Sequence, residues 1–271
     1  MDARPIFHVD AFTEHPFGGN PAAVVLLDLD DDPSDSWMQA VAAELRLSET
    51  AFVQPLSPDE PNHFDLRWFT PTTEVDLCGH ATLATAHVLH ESGRVPADAD
   101  LRFTTESGEF GARAVDNRIE LDLPTVTHGP VDAPAGLAEA LGADPMEVHE
   151  SASFLCVDLV EAAEVAILQP DLAAIAAFDV DAVIVTALAQ PDAPHDFVSR
   201  VFGPRIGIPE DPVTGSSHCL LGPLWGERLD RDDLIGFQVS ARTGTVFVTV
   251  DGDRVRLSGH SITMTRGELR I

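Results

Sequence analysis

The chain has 271 residues, 44% of them hydrophobic, and carries 45 acidic residues against 16 basic ones, with no Lys and a formal net charge of −29. That length suits two domains of roughly 120 to 140 residues, each able to bury its own core. The charge excludes the clustered Lys and Arg that nucleic acid or anionic membranes require, and no apolar run approaches the roughly 20 residues that cross a bilayer.

In chain order, Ile6 to Phe12 reads as a first strand, residues 13–21 as a Pro- and Gly-rich loop, and Ala22 to Leu27 as a second strand. An acidic turn follows, and Ser36 before WMQAVAAEL marks a helix start. Thr50 to Gln54 is a short strand, and residues 64–68 alternate so that Asp65 and Arg67 face away from the packed side. From about Gly79 to His90 a helix is apolar around most of its circumference, which predicts burial. Phe110 to Val115 and Arg118 to Leu123 form a hairpin closed by Asp116-Asn117.

The second half repeats the first. TAFVQP at Thr50 returns as TALAQP at Thr186, an offset of 136 residues, and RWFTP at Arg67 returns as RVFGP at Arg200. Gly79 returns as Gly215, and the hairpin as residues 245–250 and 254–258 around Asp251-Gly252. Ser153 to Val160 and Val165 to Leu168 are expected as strands and Leu172 to Ala177 as a helix, while Thr263 to Ile271 has no counterpart and could add a strand to the first half. The expected fold is therefore α/β in the α+β sense: two pseudo-symmetric domains, residues 1–125 and 126–271, each a curled mixed sheet around a central helix, with about 260–271 returning to the first. The implied site is a single cleft.

Positions identical in both copies, such as Arg67 and Arg200, Phe69 and Phe202, or Pro71 and Pro204, are expected to serve the fold. Gly79 and Gly215 each open a helix, where free N–H groups and the dipole favour an anion. Glu49 has Val185 as its counterpart. A carboxylate at a position that tolerates Val, flanked by Leu47, Ala51 and Phe52, is expected to be desolvated, with a pKa raised toward neutrality, as suits a group that takes and returns a proton. His80 is matched by Ser216; at the first turn of a helix its protonated form is disfavoured, so a neutral imidazole is expected. Asp211 precedes Pro212 and could cap the second helix, or hold an amine or an imidazole. Each also has a plain structural reading, as a surface carboxylate, a core hydrogen-bonder or a cap, and these stay open.

Cys78, Cys156 and Cys219 lack CxxC spacing, which argues against a disulfide framework and a thiolate zinc site. Thr214 stands where a two-thiol racemase would need a second Cys, although Cys78 could act as a single acid. His87, His90 and Glu91 have weakly metal-like spacing and read as solvent-facing. No GxGxxG, Walker or GxSxG pattern occurs, so no nucleotide cofactor is expected. The start MDARPIFHVDAF has no signal-peptide pattern, and the cytoplasm is the expected compartment. The acidic, Lys-free composition reads as adaptation to a salty cytoplasm, or else as an arginine-favouring genome with an ordinary acidic surface.

VDAFT followed by PFGGNPAAV at 9–24, LSETAF at 47–52, RWFTP through LCGHAT at 67–82, and DPVTGS at 211–216 together resemble the PhzF-like isomerases of phenazine biosynthesis, within the diaminopimelate epimerase superfamily. The resemblance implies the two-domain fold above, no metal or organic cofactor, and a homodimer. It also implies Glu49 as proton shuttle, with His80, Asp211 and Ser216 as catalytic partners and Asn20, Ser48, Cys78, Gly79, Gly215 and Ser217 around a small cyclic, amino acid-like carboxylate substrate. The reaction implied is proton transfer between carbons. An epimerase with unlike bases, Glu49 and Cys78, and a non-catalytic carboxylate-binding protein are the alternatives.

Overall fold

The computed structural model describes residues 3–270; Met1, Asp2 and Ile271, which the expected domain limits take in, lie outside the described residues. The chain divides into two compact units: residues up to Leu123 with those from Ser258 onward, and Pro124–Leu257.

The first unit runs β1 (Ala3–Ala11), β2 (Asn20–Leu26), α1 (Asp35–Leu45), β3 (Glu49–Pro55), β4 (His63–Phe69), β5 (Glu74–Val75), α2 (Gly79–Glu91), β6 (Leu101–Thr105), β7 (Gly108–Val115) and β8 (Arg118–Pro124). The C-terminal strand Ser261–Arg270 lies antiparallel to β1, with Ala3 opposite Arg270. From there the sheet continues β1, β2, β3, β4, β6, β7, β8, with β2–β3 and β4–β6 parallel and the rest antiparallel. Helix α2 touches β1, β2, β3, β7 and the C-terminal strand, so the sheet curls around it. Nine of its residues are buried, among them Leu83, Val88 and Leu89. Each such Leu or Val contributes roughly 1.5–3 kcal/mol of transfer free energy.

In the second unit are β9 (Gly129–Pro130), α3 (Leu137–Leu141), β10 (Glu147–Glu150), β11 (Phe154–Asp158), α4 (Ala162–Ile167), α5 (Leu172–Ile175), β12 (Ala182–Leu188), β13 (Phe197–Gly203), β14 (Ile208–Asp211), α6 (Gly215–Leu229), β15 (Asp233–Gln238), β16 (Gly244–Asp251) and β17 (Arg254–Gly259). Its pairings β10–β11, β11–β12, β12–β13, β13–β15 and β15–β16 repeat the senses of β1–β2, β2–β3, β3–β4, β4–β6 and β6–β7. The fold is thus the mixed α/β type expected, one curled mixed sheet and one buried helix to a unit.

Three local expectations change. Residues 165–168 are not a strand: Val165 sits in α4, fully buried in the core of the second unit, because the Ala-Ala-Glu that opens AAEVAI at Ala162, behind the N-cap residue Glu161, favours helix. Helix α1 starts earlier than Ser36, since Ser34 is the cap and accepts from Trp37 N at 3.3 Å. The second hairpin turns at Gly252-Asp253, one residue later than expected, 136 residues beyond the first. That first turn has φ of 48° at Asp116 and 64° at Asn117, as a tight hairpin turn demands.

Candidate active site

In the first unit the site is built where two parallel strands and a helix begin. Pairing of Ala22 with Glu49 brings the start of β3 beside the start of β2, where Asn20 lies. The loop before Asn20 closes only through Gly19, which has φ of +61° and whose added Cβ would stand 2.0 Å from Ala11 O. Helix α2 then delivers Gly79 and His80 behind its N-cap residue Cys78.

Asn20, Glu49, Cys78 and His80 are all buried, Asn20 completely. Glu49 Oε2 lies 3.0 Å from His80 Nε2. The approach is out of line for a hydrogen bond, so Oε2 has no in-line donor. His80 Nδ1 faces the Asn20 amide at 3.1 Å, and Cys78 Sγ stands 3.5 Å from Nδ1 and 4.0 Å from Nε2. Which end of the Asn20 amide faces the ring follows from the proton on Nδ1. Ser48, half-buried, occupies the turn that enters β3.

Burial by itself pulls the His80 imidazolium down, but the Cys78 sulfur and the Glu49 carboxylate more than offset it, and the ring titrates well above its ordinary range. Cys78 is pushed up to about 11, by burial first and then by Glu49, so its sulfur is a neutral thiol near pH 7. The carboxylate is therefore the charge that holds the imidazolium. The neutral imidazole expected from the helix dipole is corrected: a carboxylate 3.0 Å away outweighs a partial charge at the helix start.

In the second unit the corresponding helix start is held differently. Thr214, the N-cap residue of α6, donates its hydroxyl to Asp211 Oδ2, so Asp211 braces the cap residue and not the helix N–H groups directly. Gln238, fully buried, accepts from Thr214 N at 2.9 Å and donates to Asp211 O at 2.7 Å, and Ser240 also donates to Asp211 O. Gly215 is buried and Ser216 half-buried at the helix start. Ser217 is fully buried and donates back to Thr214 O at 2.8 Å. His218, also fully buried, reaches Thr214 O through Nδ1 at 2.8 Å. The structure thus groups Asn20, Glu49, Cys78 and His80 in one unit and Asp211, Thr214, Gly215 and Ser216 in the other.

Gln238 escaped sequence reasoning because nothing in the repeat marks it. The glutamates that clamp Arg67 and Arg200 were also missed: Glu74 and Glu210 share the 136-residue offset, which was the available signal. His87 is not solvent-facing but half-buried, with Nε2 3.1 Å from Thr263 Oγ1, and Thr263 in turn donates to Glu91. Among the described residues, Glu49, Cys78 and His80 are the three side chains whose donor atoms could share a metal ion, all within 4.8 Å of one another. No helix of the described residues is long and apolar enough to cross a membrane.

The chain is similar to known proteins over nearly its whole length. Residues 9–267 match the family model described as phenazine biosynthesis-like protein. The chain is 41% identical to an uncharacterized isomerase of Halalkalibacterium halodurans, covering 99% of each. It is 45% identical to an uncharacterized isomerase of Pseudomonas aeruginosa, covering 98% of each. The crystal structure of a phenazine biosynthesis protein of the PhzF family from Enterococcus faecalis superposes with a TM-score of 0.93 at 38% identity, over the whole of both chains.

Proposed function

The chain belongs to the phenazine biosynthesis-like, PhzF-type family of isomerases, and from that premise we propose that it moves a proton between carbons of a small, cyclic, amino acid-like carboxylate, with Glu49 as the shuttle. One observation carries the reading: a buried carboxylate oxygen with no in-line donor lies 3.0 Å from an imidazole that is itself held by a buried amide. Such an oxygen is free to accept a carbon-bound proton, and the enclosed surroundings keep water from competing for it. His80 steadies the carboxylate's charge between the two transfers.

The substrate carboxylate is assigned to backbone N–H groups at a helix start. Neither Cys78 nor Thr214 caps its helix with a side chain, so α2 at Gly79 and α6 at Gly215 and Ser216 each keep donors for an anion. Asp211, braced through Thr214 and Gln238, fixes the second of these starts.

Geometry favours this over epimerisation by Glu49 and Cys78 as opposed bases. Two bases on opposite faces of one carbon, each at about 3–3.5 Å, stand roughly 6–7 Å apart. The donor atoms of Glu49 and Cys78 lie within 4.8 Å of each other. One carboxylate that both takes and returns the proton fits that spacing.

The test is a screen of cyclic and aromatic amino acids for solvent deuterium entering carbon. Wild type is expected to exchange and Glu49→Gln to lose exchange by at least about 10²-fold while remaining folded. Equal exchange in the two proteins refutes the role of Glu49, and tight carboxylate binding without exchange in either makes the chain a binding protein.

A further inference from the structure

Glu49, Cys78 and His80 bring three different donor atoms together, a carboxylate oxygen, a thiol sulfur and an imidazole nitrogen, all within 4.8 Å of one another. This is the mixed set that zinc-class ions take. A tetrahedral ion with N and O ligands near 2.0 Å and sulfur near 2.3 Å holds N and O about 3.3 Å apart and N and S about 3.5 Å apart. The observed separations are 3.0 Å from His80 Nε2 to Glu49 Oε2 and 4.0 Å from His80 Nε2 to Cys78 Sγ. The oxygen needs to shift by only a few tenths of an ångström, whereas the Cys78 sulfur, nearer to Nδ1 at 3.5 Å than to Nε2, lies beside the ring and has to swing about its χ1 to come in front of Nε2.

Two further observations point the same way. Glu49 Oε2 is a buried oxygen without an in-line donor, aimed into the cluster. The far nitrogen of His80 faces the fully buried Asn20 amide, the kind of outer contact that fixes the ring of a ligating histidine.

The geometry points to a site for a thiophilic divalent cation, of the zinc class, made by Glu49, Cys78 and His80, which when filled withdraws Glu49 from proton transfer. On binding, the Cys78 S–H bond breaks as the sulfur–metal bond forms, and that proton leaves to solvent. His80 gives the lone pair of Nε2, releasing any proton held there, and no electrons change hands. Three protein ligands leave one coordination position open, unlike a closed four-ligand structural site. The effect on turnover rests on the proposed role of Glu49; the binding does not.

The experiment uses the full chain freed of metal by chelation and loaded with one equivalent of Zn2+. X-ray absorption at the zinc edge is expected to show one sulfur at about 2.3 Å among N/O neighbours at about 2.0 Å. Cd2+ is expected to give a thiolate charge-transfer band that Cys78→Ser abolishes and that a Cys156→Ala, Cys219→Ala variant retains. His80→Gln is expected to weaken binding at least about tenfold. A zinc environment of nitrogen and oxygen alone, a band unchanged in Cys78→Ser, or the absence of stoichiometric binding overturns the site. The absorption measurement needs no variant, so a misfolded Cys78→Ser leaves it decisive. Deuterium exchange should fall in proportion to zinc occupancy. A protein that binds zinc through sulfur yet never exchanges supports the site and sinks the proton-transfer reading.

Discussion

Arg200 grips Glu210 through two parallel contacts, Nε to Oε1 at 2.7 Å and Nη2 to Oε2 at 2.9 Å. Arg67 grips Glu74 likewise, at 2.6 and 2.7 Å. Each guanidinium also lies over the Phe two residues on, Phe202 and Phe69, so the repeated R-x-F is a clamp stacked on a ring. The two clamps differ in depth: the Arg200 side chain is 9% exposed and also donates to the Val165 and Leu168 carbonyls, whereas that of Arg67 is 24% exposed. Breaking the deeper pair leaves a buried charge, and Glu210→Gln is expected to cost about 3 kcal/mol. Glu74→Gln, where water reaches the guanidinium, is expected to cost about 1 kcal/mol. Urea denaturation of both variants measures the difference, and equal costs would contradict the argument from burial.

His218 predicts an acid limb to the stability of the chain. Its Nδ1 donates to Thr214 O, its Nε2 is buried without a partner against Gly236 and Phe197, and burial, against the raising effect of the Thr214 contact, lowers its pKa to about 4. Above pH 6.5 both folded and unfolded chains hold a neutral ring, and the group adds nothing. Between about 6.5 and 4 the unfolded chain binds a proton that the folded chain refuses, so stability falls as pH falls. The gap is worth about 3 kcal/mol in full. His218→Gln should flatten that limb relative to wild type in urea melts at pH 7, 5.5 and 4.5. Parallel curves for the two proteins would remove His218 as its source.

Much of this was legible because the chain carries its own comparison. The 136-residue offset separates what both copies share from what only one has, and the contrast of Glu49 with Val185 singled out a carboxylate in a strand that Val also suits. The charge state of His80 was not legible. The helix dipole is local and can be read from position, but the Glu49 contact joins residues 31 apart through the pairing of strands. Gln238 lay beyond reach for the same reason, since its two bonds to the Asp211–Thr214 turn span 24 and 27 residues. Residues 165–168 misled because a continuous run of four apolar residues does not define a period, and helix propensity decided the segment.

The net charge of −29 has a measurable consequence. Most of the acidic residues are exposed and outnumber every possible cation partner, so self-repulsion exceeds what surface ion pairs return. Going from about 0.01 M to 1 M salt shortens the screening length from about 30 to about 3 Å and removes that repulsion. The melting temperature is therefore expected to rise by roughly 5 °C in molar KCl, equivalent to one or two kcal/mol for a chain this size. A flat or falling melting temperature would show the ion pairs to be worth more than the repulsion, and would leave the salty-cytoplasm reading without support.

Asn20 separates positioning from substrate contact. Its amide faces His80 Nδ1 at 3.1 Å from the fully buried start of β2, so it holds the ring whose other nitrogen meets Glu49. In Asn20→Ala the ring loses that partner and can turn away from the carboxylate. The exchange rate is then expected to fall about 10²-fold, the penalty for displacing a catalytic group by about an ångström, with about 1–2 kcal/mol of stability lost from the broken buried contact. The split between kinetic constants decides the role. If Asn20 acts through His80, kcat falls while KM stays near wild type, and Asn20→Asp, which keeps one oxygen toward the ring, recovers part of the rate. If Asn20 binds the substrate itself, KM rises instead. A fall in melting temperature with both constants unchanged would reduce Asn20 to a structural residue, and would leave the His80–Glu49 contact to the helix and the strand alone.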